Sequence, residues 1–246
     1  MDWRDELDNL QYHVIRNYDY AKFFEDVQYQ DKTLTHEERL GYAKIVDETI
    51  NQFKSGLQLI IESLQKDKKR NDEFAVISRT VESLFLFTTI TMMDYLVAAK
   101  YFLIADQDYD RRFMRGKLFV ILNEGFKKLY GFDEKTFKKS EWAKIGPLMK
   151  HFHPVIQNQF AILDSLLKRR AESSLWWRDE RNFETHLDVE PLYESRNEEL
   201  VEGKVMMESL QLYNAVFAVH HFLTNVNACL VNTFIRAYNR GELAEE

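Results

Sequence analysis

The stretch Val46-Asp47-Glu48-Thr49-Ile50-Asn51-Gln52-Phe53-Lys54-Ser55-Gly56-Leu57-Gln58-Leu59-Ile60-Ile61-Glu62-Ser63-Leu64 decides the fold class. Val46, Ile50, Phe53, Leu57, Ile60, Ile61 and Leu64 recur at spacings of three and four, which at 3.6 residues per turn places them on one stripe. Upstream, Thr35-His36-Glu37-Glu38 has the spelling of a capping box, in which the Thr hydroxyl and the Glu carboxylate satisfy orphan backbone donors at a helix start. Downstream, residues 66–72 contain no apolar side chain and break the pattern. A second helix over 73–105 is apolar nearly all round after Arg79, the composition of a central helix.

The same periodicity extends outward. A first helix is expected from Asp5 to about Gln28, with Leu7, Leu10, Val14 and Tyr18 on one face. Another runs over 110–130 and stops at Gly131, a usual residue just past a helix end. Residues 135–154 are broken by Gly146-Pro147 and Pro154. A helix over 155–172 turns Ile156, Phe160, Leu163, Leu166 and Leu167 inward, and the last runs from about Tyr193 to Asn239. Only 8 Gly and 3 Pro stand in 246 residues, too few for the turns of a sandwich or barrel. The expectation is one all-α domain over 1–246, a bundle of about six or seven helices. Residues 1–70 would be an N-terminal helical extension on a bundle over 71–246.

Composition narrows the function classes. A lone cysteine, Cys229, forms no internal disulfide and makes a thiolate zinc site impossible. The opening Met1-Asp2-Trp3-Arg4-Asp5-Glu6 has no apolar core of a secretory signal, so a cytoplasmic location is expected. Two apolar stretches, 84–104 and 210–235, carry Asp94 and Lys100, or seven Asn, Gln and His side chains, which suits buried core helices better than membrane spans. None of the seven histidines has a Glu three residues before it, so the di-iron helix motif is missing. No Gly-rich phosphate loop and no Gly-x-Ser-x-Gly elbow is present. Asp106-Gln107-Asp108-Tyr109-Asp110 resembles a calcium loop, but Arg111 and Lys117 fall where Gly and Glu are needed; the aspartates are expected to cap the next helix. His151 and His153 before Pro154 are a weak metal pair, and His220-His221 are expected to be packing residues. The expectation is therefore no metal and no cofactor.

Charge is unevenly distributed. Residues 1–110 hold 13 Lys/Arg against 21 Asp/Glu, residues 111–182 hold 16 against 8, and residues 183–246 hold 4 against 11. A basic middle third within a chain of net charge -7 is either a set of solvated helix faces or a surface for a polyanion.

One segment gathers chemistry: Leu175-Trp176-Trp177-Arg178-Asp179-Glu180-Arg181-Asn182-Phe183-Glu184-Thr185-His186. A histidine can move a proton at a ribose 2′-hydroxyl or a leaving oxygen near neutral pH, and an arginine fork can hold the extra charge of a phosphorane. Arg181 and His186 are that pair, and no metal is required.

Arg181-Asn182-x-x-x-His186, at the entry to the last long helix, resembles the signature of HEPN (higher eukaryotes and prokaryotes nucleotide-binding) domains. The resemblance implies a dimerising helical bundle with a metal-independent ribonuclease site across the two-fold, often in RNA-targeting defence or toxin systems, or a non-catalytic RNA-binding module. Arg181 would stabilise the phosphate, His186 would act as acid and base, and Asn182 would orient the site. Arg178, Lys168, Arg169 and Arg170 would bind the RNA. Two departures stand out: residues 1–70 exceed a minimal domain of this family, and Asp188 stands where the toxin subset has a tyrosine. The alternative is a non-enzymatic helical interaction module in which Glu180, Glu184 and Asp188 pair with Arg178 and Arg181 in a structural network. A homodimer is expected, sharing part of the apolar last helix or the motif-bearing segment beside it across a two-fold.

Overall fold

The computed structural model describes residues 2–8, 16, 18–25, 33–173 and 200–243. Among these there is no strand, and eight α-helices account for the fold. Five are long: α2 (His36–Asp67), α3 (Glu73–Ile104), α4 (Asp108–Leu129), α7 (Pro154–Ala171) and α8 (Glu202–Asn239). Three are short: α1 (Trp3–Asp8), α5 (Glu134–Phe137) and α6 (Glu141–Ile145). The expected all-α bundle is what forms.

Helix α3 is the axis. It packs on α2, α4 and α8, and its Ala75, Val81, Met92, Ala99 and Phe102 are fully buried. It is also the one described helix long and apolar enough to cross a membrane by length and composition, with 56% of its most apolar window buried inside the bundle. Helix α8 lies against α3, α4, α7 and α1, so most of its apolar circumference is covered within the chain. The buried core runs continuously from Trp3, Leu7 and Tyr20 through α3 and α4 to α8. Trp142 of α6 is fully buried, stacked on Phe160 at 4.7 Å, with its indole N–H donated to Asp164 Oδ1 at 2.9 Å. That bond removes the cost of burying the only polar atom on the ring.

Local signals placed several boundaries. Thr35 Oγ1 accepts from the Glu38 N–H at 3.2 Å and Glu38 Oε2 accepts from the Thr35 N–H at 2.9 Å, closing the capping box of α2. Gly131 follows α4 with φ +87°, and a Cβ there would meet the Phe137 nitrogen at 2.6 Å. Helix α2 then lies along α3 and on no other helix to a comparable extent. Arginines secure both ends of this pair. Arg79 donates to the carbonyls of Asp67 and Arg70 in the connecting turn, and buried Arg39 donates to the carbonyl of Ala105 at 2.8 Å.

Three expectations are corrected. The single helix over 5–28 does not form: α1 is described over Trp3–Asp8, Arg16, Tyr18 and Asp19 are not helical, and Tyr20–Phe24 is a 3₁₀ turn. The backbone of Arg16 is bound instead by the side chains of Asn225 and Gln159, and Leu7 gives its carbonyl to the His153 N–H at 3.0 Å. Second, Gln107 caps α4 without a side-chain bond, while Asp108 and Asp110 lie inside its first turn, where they still favour the positive helix end. Third, α8 begins at Glu202, because Leu200 and Val201 are not helical; residues 193–199 lie outside the described residues.

Candidate binding site

Helix α2 meets α8 sparsely, with Phe53 edge-on to His220, and the space left over α3 is an open groove. Small side chains make room for it: Gly56 and Ser63 on α2 and Ser78 on α3. A Cβ on Gly56 would meet nothing within 4 Å. Each helix contributes one stripe at helical spacing. From α3 come Phe74, Ser78, Glu82, Phe85 and Thr89, and from α8 come His220, Asn227, Val231 and Phe234. The groove has a broad branch of about 810 Å³ and a narrower one of about 340 Å³. Leu59, Ser63, Glu82, Asn227 and Val231 line both and mark the junction. Those volumes are in the range of small-molecule sites.

The junction carries the unusual chemistry. Glu82 is buried, and its Oε1 accepts from the Ser63 hydroxyl at 2.6 Å. Its Oε2, like Oδ1 of Asn227, is closed off from solvent. Burial pushes the Glu82 carboxyl up from the usual 4.5 to about 7, with hydrogen bonds from Ser63 and Ser78 opposing the shift and Asp67 adding repulsion. In the narrow branch, His220 packs against Phe85 at 4.6 Å and edge-on to Phe53 at 5.6 Å. Burial lowers its pKa to about 4, with His221 adding to the shift, so the ring is neutral at pH 7. His221 points to the other side, among Tyr18, Phe23 and Phe217. The two histidines are packing residues, as the sequence suggested, and His220 also lines the groove.

The broad branch opens beside a charged rim. Glu62, Lys66 and Asp67 come from the end of α2, and Lys69 and Arg70 from the turn that follows. Arg70 is engaged by Asp67 at 3.5 Å and Asp72 at 2.9 Å, with its guanidinium over the Phe234 ring at 5.2 Å.

The residues singled out from the sequence lie elsewhere. Arg178, Arg181, Asn182 and His186 fall outside the described residues, so the structure places none of them. Lys168 and Arg169 are exposed at the C-terminal end of α7, just ahead of that segment. Arg170 does not join them. It is buried, donates to the Phe24 carbonyl at 3.2 Å and lies over the Phe24 ring at 5.8 Å, so its charge faces the bundle rather than solvent. Elsewhere in the basic third, Lys138 pairs with Glu134 and Lys144 with Glu141, both at 2.7 Å, which weakens the local positive field. Among the described residues no group of three His, Cys, Asp or Glu side chains could hold a metal ion. His153 serves instead as the cap of α7, its Nδ1 accepting from the Val155 N–H.

Sequence reasoning missed the groove. The one available signal was Glu82, an acid on the inward face of a helix that is apolar around it. Comparison with protein-family models, with curated proteins and with solved structures gives no match.

Proposed function

We propose that this helical domain is a binding module that takes up a small, largely apolar molecule in the groove between α2, α3 and α8. One observation carries the reading: the two joined branches, about 810 and 340 Å³, are walled largely by Phe53, Leu59, Ile60, Phe85, Val231 and Phe234, with the buried acid Glu82 at their junction. Val231, on the groove wall, is 47% exposed, so a bulky side chain there would fill the space without disturbing the core. Val231→Trp should abolish the thermal stabilisation given by eight-carbon alkyl compounds while leaving the helical dichroism unchanged. If no such compound stabilises the wild type at millimolar concentration, the reading fails.

A second reading keeps the sequence expectation of a HEPN-like, metal-independent ribonuclease or RNA-binding protein acting as a dimer in the cytoplasm. The observation in its favour is that Lys168 and Arg169 are exposed at the end of α7, nine or more residues ahead of Arg178, Arg181, Asn182 and His186. Its test is cleavage of single-stranded RNA in the presence of a chelator, with 2′,3′-cyclic phosphate ends. His186→Ala should abolish it, and Arg181→Ala should lose about 10²–10³-fold. A wild type that neither cleaves nor binds RNA at low salt removes this reading.

A further inference from the structure

We propose that the groove is gated by a proton: α2, one of its walls, separates from α3 more readily once Glu82, at the contact of the two helices, has lost its proton to solvent. This rests on the reading of the groove as a binding site and adds how access to it is controlled.

Geometry makes α2 the wall that can move. It rests mainly along α3 and meets α8 sparsely, so opening the groove on this side breaks one main interface. Polar contacts are spread along that interface: Arg39 to the Ala105 carbonyl at 2.8 Å, Lys100 to Asp47 at 2.6 Å, and the Ser63 hydroxyl to Glu82 Oε1 at 2.6 Å. Asp47 and Lys100 are partly exposed, whereas Glu82 is only 4% exposed.

Hydroxyls hold the Glu82 carboxyl, Ser63 from α2 and Ser78 from the preceding turn of α3. The charged groups around it are Glu62, Lys66 and Asp67 on α2, Lys69 and Arg70 in the turn, Arg79 on α3 and His220 on α8. Glu62, Lys66 and Lys69 are exposed to solvent. Arg70 pairs with Asp67 and Asp72, Arg79 donates to the carbonyls of Asp67 and Arg70, and His220 is neutral at pH 7. Among the described residues no lysine or arginine pairs with Glu82. Ionising it in place strands a charge without a counter-ion, and lifting α2 lets water reach that charge.

Linkage sets the size of the effect. The carboxyl titrates at about 7 with α2 in place and near the ordinary 4.5 once hydrated, so opening releases a proton between those values. The Glu82 contribution to opening should rise about tenfold per pH unit from 4.5 to 7 and level off above. Phe53 of α2 meets the His220 ring edge-on at 5.6 Å, and uncovering that ring adds an opposite slope below pH 6.5. The ratio of opening in wild type to opening in Glu82→Gln cancels the histidine.

Deuterium exchange of the whole chain between pH 5 and 8, with each amide rate divided by its unprotected rate at that pH, tests the gate. Amides over 41–66 should open before those over 84–104, and the ratio over 41–66 should grow roughly 70-fold across the range, most of it below pH 7. Ser63→Ala removes a hydroxyl that favours the carboxylate, and it serves if the Glu82 variant does not fold: its opening relative to wild type should climb between pH 7 and 8. A flat ratio for either variant, or exchange over 41–66 no faster than over 84–104, would overturn the gate. Octanol at millimolar concentration, added to the same samples, judges the site separately. Slowed exchange over 41–66 alongside a flat ratio removes the gate and keeps the site. A growing ratio that octanol leaves untouched removes the site and, with it, the gate.

Discussion

Asn225 holds the backbone of Arg16 from both sides, across 209 residues of chain. Its Oδ1 accepts from the Arg16 N–H at 3.2 Å and its Nδ2 donates to the Arg16 carbonyl at 2.7 Å. Gln159 donates to the same carbonyl at 3.1 Å, and its Oε1 accepts from Asn225 Nδ2 at 3.2 Å and from the Tyr20 hydroxyl at 3.4 Å. The N-terminal segment is thus tied to α7 and α8 by amide groups, with Asn225 and Gln159 both buried.

Removing one amide leaves its partners unpaired inside the protein. Asn225→Leu should destabilise the fold by about 2–4 kcal/mol, several times the net worth of a single hydrogen bond. Urea unfolding measures it. A cost under about 0.5 kcal/mol would mean that water replaces the amide and that the segment around Arg16 is not anchored there.

The acid and the base of the groove oppose each other in pH. Glu82 has its folded pKa raised, so its protonated form stabilises the fold below pH 4.5 and that stability is lost as pH rises to about 7. His220 has its folded pKa lowered, so stability is gained as pH rises from about 4 to 6.5. Each shift corresponds to roughly 3 kcal/mol at most, and between pH 4.5 and 6.5 they nearly cancel. Glu82→Gln should expose the histidine's contribution, making stability relative to wild type rise with pH across that window. His220→Asn should do the reverse. Denaturation series at closely spaced pH values on both variants check this, and parallel profiles for wild type and Glu82→Gln would refute it.

The end of α4 is set by one backbone conformation. Gly131→Ala must hold a side chain at φ +87° against the backbone of residues 136 and 137, at about 1–3 kcal/mol. Gly125→Ala acts differently: its Cβ would come within 2.5 Å of Thr91 Cγ2, so α4 must move off α3 or Thr91 must turn. The double variant Gly125→Ala/Thr91→Ser should recover much of the second loss and none of the first. Thermal melts of the single and double variants separate the two causes.

The stripe on α2 is buried to uneven depth. Ile50 and Ile60 are buried, whereas Val46, Phe53, Leu57 and Leu64 are half-buried, because α3 covers the helix from one side. Ile60→Ala should cost about 2–4 kcal/mol and Leu57→Ala about half of that. The opposite order, read from denaturation midpoints, would mean that α2 is rotated about its axis.

What the sequence made legible was local. The capping box at Thr35, the stop at Gly131 and the periodicity of α2, α3 and α7 are settled within a turn or two of chain. The break between α1 and the 3₁₀ turn was hidden, because the groups that bind the Arg16 backbone lie 143 and 209 residues away. The groove was hidden for a related reason. It depends on how sparsely α2 meets α8, which no residue of α2 declares. The Arg181–His186 motif is legible as spelling alone, while the inward turn of Arg170 depends on Phe24, far off in sequence.

Helix α2 rests mainly along one neighbour, α3, and this gives the bundle a seam. A sub-global opening that lifts α2 breaks the contacts of one interface, whereas releasing α3 or α8 breaks several. Backbone amides over 41–66 should therefore exchange with deuterium well before those over 84–104 and 211–230. Because the same helix forms one wall of the groove, a molecule held there would slow exchange along its whole length, including turns that it never touches.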